Sequence, residues 1–154
     1  MNYNISVREF LEKAKAGEID FADFSAKVSK ESERLNGKLN CFITINNEFG
    51  KNEKQAKASK SNSLPYLPIS IKDNICTRGL ASTAGSKILH NYVPPFDATS
   101  VARIRKEGGQ VLGKTSMDEF GFGGFSVNVG VDFKVPKNPF DSERSAGGSS
   151  GGAG

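Results

Sequence analysis

Tryptophan is absent from this sequence of 154 residues, histidine occurs once and cysteine twice. Cys41 and Cys76 form no Cys-x-x-Cys pair, and His90 has no second ligand residue beside it, so neither a zinc site nor a disulfide framework is expected. We interpret both cysteines as small packing residues. Free cysteines are typical of proteins in a reducing compartment, and the cytoplasm is the expected location.

Long hydrophobic runs are also missing. No segment approaches the roughly 18 uninterrupted apolar residues of a membrane span, and the N-terminus has no basic stretch followed by an apolar run. Neither membrane insertion nor secretion is therefore expected. The net charge of +4 is a mild excess, unlike the clustered basic surface of a dedicated nucleic-acid binder. With 36% hydrophobic residues, the composition is that of a globular domain with its own core.

The first part of the chain predicts helices. Ser6 begins a capping box, and apolar residues recur after it at helical spacing until Gly17. Asp20 is placed to cap a second helix, which we expect to end at Asn36 and Gly37 because these residues are typical of helix ends.

A strand and a further helix are predicted next. Residues 41–45 are rich in β-branched and aromatic side chains, which favours a strand, whereas residues 48–60 read as a polar helix. We therefore expect residues 1–62 to form an N-terminal, mainly helical segment.

Residues 63–154 predict an α/β domain. Short apolar strands are expected at 66–72 and 110–113, with a helix from about 98 to 107 between them, capped by Asp97. A strand, a helix and a strand in this order predict a crossover that places the two strands parallel in one sheet.

One candidate site lies where the first of these strands ends, at Lys72 and Asp73. The carboxyl ends of parallel strands are where such folds bind ligands. Removal of a lysine from water lowers its pKa and lets it act as a base. The alternative is a Lys-Asp pair that caps a strand at the surface.

The second candidate is the glycine-rich segment at residues 147–152, Gly-Gly-Ser-Ser-Gly-Gly. Its glycines allow close approach of the backbone, and the hydroxyls of Ser149 and Ser150 supply adjustable hydrogen bonds. The segment matches no phosphate-binding loop. The alternative is a flexible Gly/Ser linker.

Four motifs occur in order along the sequence. They are Leu-Pro-Ile-Ser-Ile-Lys-Asp-Asn at 67–74, Val-Leu-Gly-Lys-Thr-Ser-Met-Asp-Glu-Phe at 111–120, Lys-Asn-Pro-Phe-Asp at 137–141 and Gly-Gly-Ser-Ser-Gly-Gly-Ala-Gly at 147–154. Together they resemble the amidase signature family, and within it the sequence is most similar to the A subunits of glutamyl-tRNA(Gln) amidotransferases.

The resemblance implies the first part of the amidase signature fold, with a mixed sheet covered by helices. It also implies a triad of two serines and a lysine, in which Lys72 takes a proton from Ser149 and Ser149 activates a nucleophilic serine. A cis peptide between Ser149 and Ser150 is expected. Asp73 and Ser150 would support the site, and part of the substrate wall would come from residues Phe122, Gly123 and Gly124.

The family's nucleophile belongs to an Asp-x-Gly-Gly-Ser motif that follows the first serine and is not among these 154 residues. The 154 residues by themselves are therefore expected to be inactive. They are also expected to associate, through a sheet edge and an apolar helix face at Val101 and Ile104.

The function implied by the resemblance is hydrolysis of glutamine, with transfer of the ammonia for conversion of Glu-tRNA(Gln) to Gln-tRNA(Gln). The implied partners are the B and C subunits, and the tRNA would be reached mainly through a partner. No cofactor is expected for this chain, since the B subunit would use ATP and Mg²⁺. A stand-alone amidase and a non-catalytic interaction module remain as alternatives.

Overall fold

The computed structural model describes residues 5–51 and 62–154. In these ranges the main elements are helices α1 (Val7–Ala16), α2 (Phe21–Leu39) and α3 (Thr99–Lys106), and strands β1 (Phe42–Ile45), β2 (Pro68–Lys72) and β3 (Gln110–Thr115). Three short 3₁₀ turns, at Lys87–Leu89, Glu119–Gly121 and Gly151–Ala153, lie in the connecting segments.

The N-terminal helices begin at the predicted caps. Ser6 Oγ accepts a hydrogen bond from Glu9 N at 3.2 Å, and Asp20 Oδ1 accepts one from Asp23 N at 3.0 Å. Helix α1 ends at Gly17, whose φ of 74° is a left-handed conformation that glycine adopts without steric cost.

The predicted end of α2 is wrong. The helix continues through Asn36 and Gly37 to Leu39 and ends at Asn40, which has a φ of 54°. The residue that adopts the left-handed conformation is Asn40, whereas Asn36 stays helical and its Oδ1 accepts a hydrogen bond from Phe42 N at 2.7 Å. This contact fixes the turn from α2 into β1.

The described sheet has the order β1-β3-β2. Strand β2 pairs with β3 in parallel, with Ile71 opposite Lys114 and Lys72 opposite Thr115, and β1 pairs with β3 in the antiparallel sense. The predicted parallel pair and the mixed α/β fold are confirmed. The strand predicted at 41–45 is confirmed as β1 and belongs to the same sheet.

Helix α3 is where predicted, but Asp97 does not cap it. The N-cap residue is Ala98, and Asp97 Oδ1 instead accepts a hydrogen bond from Arg78 N at 2.8 Å. The predicted exposure of its apolar face is also wrong. Val101 is completely buried, and Ile104 packs against the same cluster, because the strands β2 and β3 themselves cover this face.

Two apolar clusters form the described core. Aromatic side chains of α1 and α2 meet Tyr66, with the rings of Phe10 and Phe24 4.8 Å apart and those of Phe21 and Tyr66 4.3 Å apart. The second cluster packs α3 against the sheet. This packing holds the carboxyl ends of β2 and β3 in place, and the site lies at those ends.

Two predictions about the N-terminal segment, a helix at 48–60 and a boundary between 62 and 63, are not fully tested by the described residues. Residues 47–51 form a turn where the helix predicted at 48–60 was to begin, and residues 52–60 of that prediction lie outside the described residues. The boundary between 62 and 63 stays a prediction, although β1 shows that the first segment contributes a strand to the sheet. Within 5–51 and 62–154, no helix is long and apolar enough to cross a membrane.

Candidate active site

Lys72 and Ser149, 77 residues apart in the chain, are in direct contact. Lys72 is the last residue of β2, and its Nζ donates a hydrogen bond to Ser149 Oγ at 2.7 Å. Both residues are partly buried. A proton can pass between an amine and a hydroxyl at this distance. The expected proximity of the two groups is confirmed.

The cis peptide bond lies one residue earlier than predicted, between Gly148 and Ser149. A Cβ at Gly148 would lie 2.5 Å from Asp118 Oδ2 and 2.6 Å from Ser126 N, so one side of this residue packs closely against residues 118–126. Gly148 and Ser150 are both exposed on their other sides. The close neighbours of Gly148 are remote in sequence, so the motif alone did not indicate which bond is cis.

The glycine-rich segment is held in place along its length. Asp118 N donates to Ser149 O at 3.1 Å, and Gly152 N donates to Ser116 O at 2.9 Å. The interpretation as a flexible linker is therefore wrong. Ser150 begins the short turn Gly151–Ala153, and its carbonyl accepts a hydrogen bond from Ala153 N at 2.9 Å.

Asp73 has no exposure to solvent, so the interpretation of Lys72 and Asp73 as a surface cap is also wrong. Its Oδ2 accepts hydrogen bonds from Thr83 N at 3.0 Å, from Gly85 N at 3.2 Å and from the Thr83 hydroxyl. These contacts bind the loop after β2 to residues 83–85. Its supporting role at the site stays a prediction.

Lys114 is a buried charged residue that the sequence did not single out. It has no exposure, and its Nζ donates to Ser82 Oγ at 2.6 Å and to Ile75 O at 2.7 Å. Burial lowers the pKa of Lys114, and the neighbouring carboxylate of Asp73 opposes that effect. The signal was a lysine that directly follows the apolar run Val-Leu-Gly at 111–113, because a charge in a buried strand is tolerated only where it has hydrogen-bond or ion-pair partners.

Asp118 was also missed, and it organises the segment around Phe122–Gly124. Its carboxylate is completely buried and accepts hydrogen bonds from Ser126 N at 3.1 Å and from Asn128 N at 2.9 Å. Gly123 lies against this carboxylate, and a Cβ at Gly123 would overlap it.

The residues predicted for the substrate wall lie on the surface of this segment. Phe122 is 79% exposed and Gly124 has no described atom near the position of its missing Cβ. Their role in binding stays a prediction. Among residues 5–51 and 62–154, no cluster of three or more acidic, histidine or cysteine side chains has the arrangement of a metal site. Cys41 and Cys76 are both free thiols.

Curated relatives match three quarters of the chain or more. The chain is 38% identical over 157 aligned residues to the A subunit of glutamyl-tRNA(Gln) amidotransferase from Carboxydothermus hydrogenoformans, with 98% of this chain and 32% of the relative covered. It is 46% identical over 120 residues to the chloroplastic/mitochondrial A subunit of Arabidopsis thaliana, with coverages of 75% and 22%. The chain thus spans a third or less of the length of these relatives.

Solved structures share the fold. The A subunit of glutamyl-tRNA(Gln) amidotransferase from Thermotoga maritima superimposes with a TM-score of 0.74 at 31% identity, covering 97% of this chain and 30% of that one. The native peptide amidase from Stenotrophomonas maltophilia gives a TM-score of 0.82 at 25% identity, with coverages of 97% and 33%.

The family described as Amidase matches residues 25–154, which include both Lys72 and Ser149. The match spans all three strands of the described sheet and most of α2. Sequence motifs, fold and family match agree, and the chain belongs to the amidase family.

Proposed function

We propose that the protein is an amidohydrolase that releases ammonia from glutamine for the conversion of Glu-tRNA(Gln) to Gln-tRNA(Gln). The contact between Lys72 Nζ and Ser149 Oγ carries this proposal, because a hydroxyl held 2.7 Å from an amine is placed to lose its proton. The similarity to amidotransferase A subunits over 98% of the chain supports glutamine as the substrate.

In the proposed reaction, Ser149 passes its proton to the amine of Lys72 and takes one from the nucleophilic serine of the following family motif. The serine oxygen then bonds to the carboxamide carbon, and the C–N bond breaks. The nitrogen leaves as ammonia with the proton that the relay returns. Water then attacks the resulting ester, which releases glutamate and restores the hydroxyl of the nucleophilic serine.

The proposed partners are the B and C subunits of the amidotransferase, with the tRNA reached mainly through a partner. The relay uses only serine and lysine side chains, so we propose no cofactor for this chain, with ATP and Mg²⁺ used by the B subunit. We place the reaction in the cytoplasm, where free thiols such as Cys41 and Cys76 stay reduced.

A stand-alone amidase is the second candidate. The TM-score of 0.82 with a peptide amidase supports it, because the same relay can act on carboxamides other than glutamine. The two candidates differ in substrate. An amidotransferase subunit hydrolyses glutamine in the assembled complex, whereas a stand-alone amidase hydrolyses other carboxamides without partners.

The test is ammonia release by the whole protein, assayed alone and with its B and C partners, from glutamine and from a panel of primary carboxamides. Lys72→Ala should abolish hydrolysis without unfolding the protein. Lys87→Ala is the matched control because Lys87 is an exposed lysine paired with Asp132. One tenth of the wild-type activity in Lys72→Ala would contradict the relay. A folded wild-type protein that hydrolyses no carboxamide would favour the interaction module.

A further inference from the structure

We infer that Ser126 is a positioning residue for Ser149, acting through the hydrogen bond between its hydroxyl and the backbone of Gly151. Ser126 Oγ accepts this bond from Gly151 N at 2.9 Å. The inference rests on the proposed function, because it concerns the geometry of the proposed relay between Ser149 and Lys72.

Ser126 holds residues 149–152 through its side chain, whereas the other two hydrogen bonds to this segment come from main-chain groups. Residues 149–152 are tied to residues 116–126 by Asp118 N to Ser149 O, by Gly152 N to Ser116 O and by the Ser126 hydroxyl. The first two bonds join main-chain atoms and do not depend on side-chain identity. The third is lost when the hydroxyl is removed.

The Ser126 hydroxyl is enclosed. The residue has no exposure to solvent, and a Cβ at Gly151 would overlap both Cβ and Oγ of Ser126. Gly151 itself is buried, so its N–H would lose its partner if the hydroxyl were removed. An unpaired buried N–H is unfavourable, and the turn after Ser149 would shift to relieve it.

Asp118 holds Ser126 in the required conformation. Ser126 has a φ of 53°, which is uncommon for a residue other than glycine, and its N–H donates to Asp118 Oδ2 at 3.1 Å. The backbone N–H of the same aspartate bonds to Ser149 O. Asp118 therefore links Ser126, the positioning residue, to Ser149, whose position it fixes.

A small movement of this turn would act on the relay. Proton transfer requires the Ser149 hydroxyl within hydrogen-bond reach of Lys72 Nζ, and displacements of about 1 Å cost rates of the order of 10²-fold. The described hydrogen bonds of Ser126 go to the backbone of Gly151 and to the carboxylate of Asp118, away from the reacting hydroxyl. Its effect should appear in kcat rather than in KM.

The experiment compares Ser126→Ala with Ser32→Ala in the whole protein assembled with its partners. Ser32 is the matched control: it is a buried serine in α2 whose hydroxyl donates to Val28 O at 2.8 Å, remote from Lys72 in sequence. Ser126→Ala should lower kcat for glutamine hydrolysis about tenfold or more, with KM within about twofold of the wild-type value. Ser32→Ala should leave both constants unchanged.

A third variant, Ser126→Thr, keeps the hydroxyl but places a β-branched residue at a positive φ. It should unfold at a lower temperature than Ser126→Ala and yet have the higher kcat, an order that a purely structural role would not produce. If Ser126→Thr does not fold, the comparison of Ser126→Ala with Ser32→Ala decides.

An unchanged kcat in folded Ser126→Ala overturns the inference. Equal losses of activity in Ser126→Ala and Ser32→Ala, in proportion to unfolding, overturn it too. Lys72→Ala distinguishes a failure of the proposed relay from a failure of the proposed role of Ser126. If Lys72→Ala is active, the proposed relay and this inference fail together, whereas an inactive Lys72→Ala with a fully active Ser126→Ala removes the inference alone.

Discussion

The Lys114 ammonium lies 3.6 Å from Asp73 Oδ1, and neither side chain has any exposure to solvent. The pair joins the middle of the sheet to the loop that follows Lys72. Lys114→Met should destabilise the protein by about 3–5 kcal/mol, because it leaves a buried carboxylate without its cation. Denaturant unfolding of the purified protein measures this change.

The double variant Asp73→Asn/Lys114→Met should be more stable than Lys114→Met, because it removes both charges. Lys87→Met, which breaks an ion pair exposed on both sides, should cost far less. A Lys114→Met protein as stable as the wild type would show that the buried pair is not an anchor of this loop.

Two neighbouring glycines should respond in opposite ways to the same substitution. A Cβ at Gly123 would overlap the Asp118 carboxylate, whereas a Cβ at Gly124 would meet no described atom within 4 Å. Gly123→Ala should therefore cost about 1–3 kcal/mol, and Gly124→Ala should be close to neutral. Thermal unfolding of the two variants checks the difference, and equal melting temperatures would contradict the close packing at Asp118.

The thiol of Cys41 should react slowly. Burial raises the pKa of Cys41 above its ordinary value of 9.0. Near neutral pH, a smaller fraction of this thiol is therefore present as the reactive thiolate than in an exposed cysteine. The rate of alkylation by iodoacetamide, followed by mass spectrometry of the Cys41 peptide, should have its midpoint above pH 9.0 in the folded protein. Unfolding in urea should return the midpoint to the ordinary value, and a folded-state midpoint below it would contradict the burial effect.

Residues 1–154 prepared by themselves should release no ammonia from glutamine. The family resemblance assigns nucleophilic attack to a serine of the following motif, and Ser149 is engaged with Lys72. The side chains of Phe122, Phe125 and Phe140 are exposed, so residues 1–154 prepared by themselves should also self-associate.

Ammonia assays and light scattering over a concentration series test both parts of this prediction. Serine-dependent release of ammonia by residues 1–154 would show that the nucleophile has been assigned to the wrong serine. An inert monomer at high concentration would favour an interaction module.

Local signals in the sequence determined much of the N-terminal structure and the candidate site. The caps at Ser6 and Asp20 and the left-handed stop at Gly17 depend on hydrogen bonds or backbone freedom within one turn, which neighbouring residues specify. Lys72 and Ser149 were candidates because of their motifs, and the resemblance to the amidase signature family implied the contact that the structure shows.

The tertiary structure decided those features whose cause lies far along the chain. Helix α2 continues past Asn36, whose side chain bonds to Phe42 N in β1, and the Asp97 side chain bonds to Arg78 N instead of capping its helix. Asp73 and Lys114 are partners only because β2 and β3 lie side by side. Burial and partner choice depend on contacts between distant segments, which propensity and spacing do not encode one residue at a time.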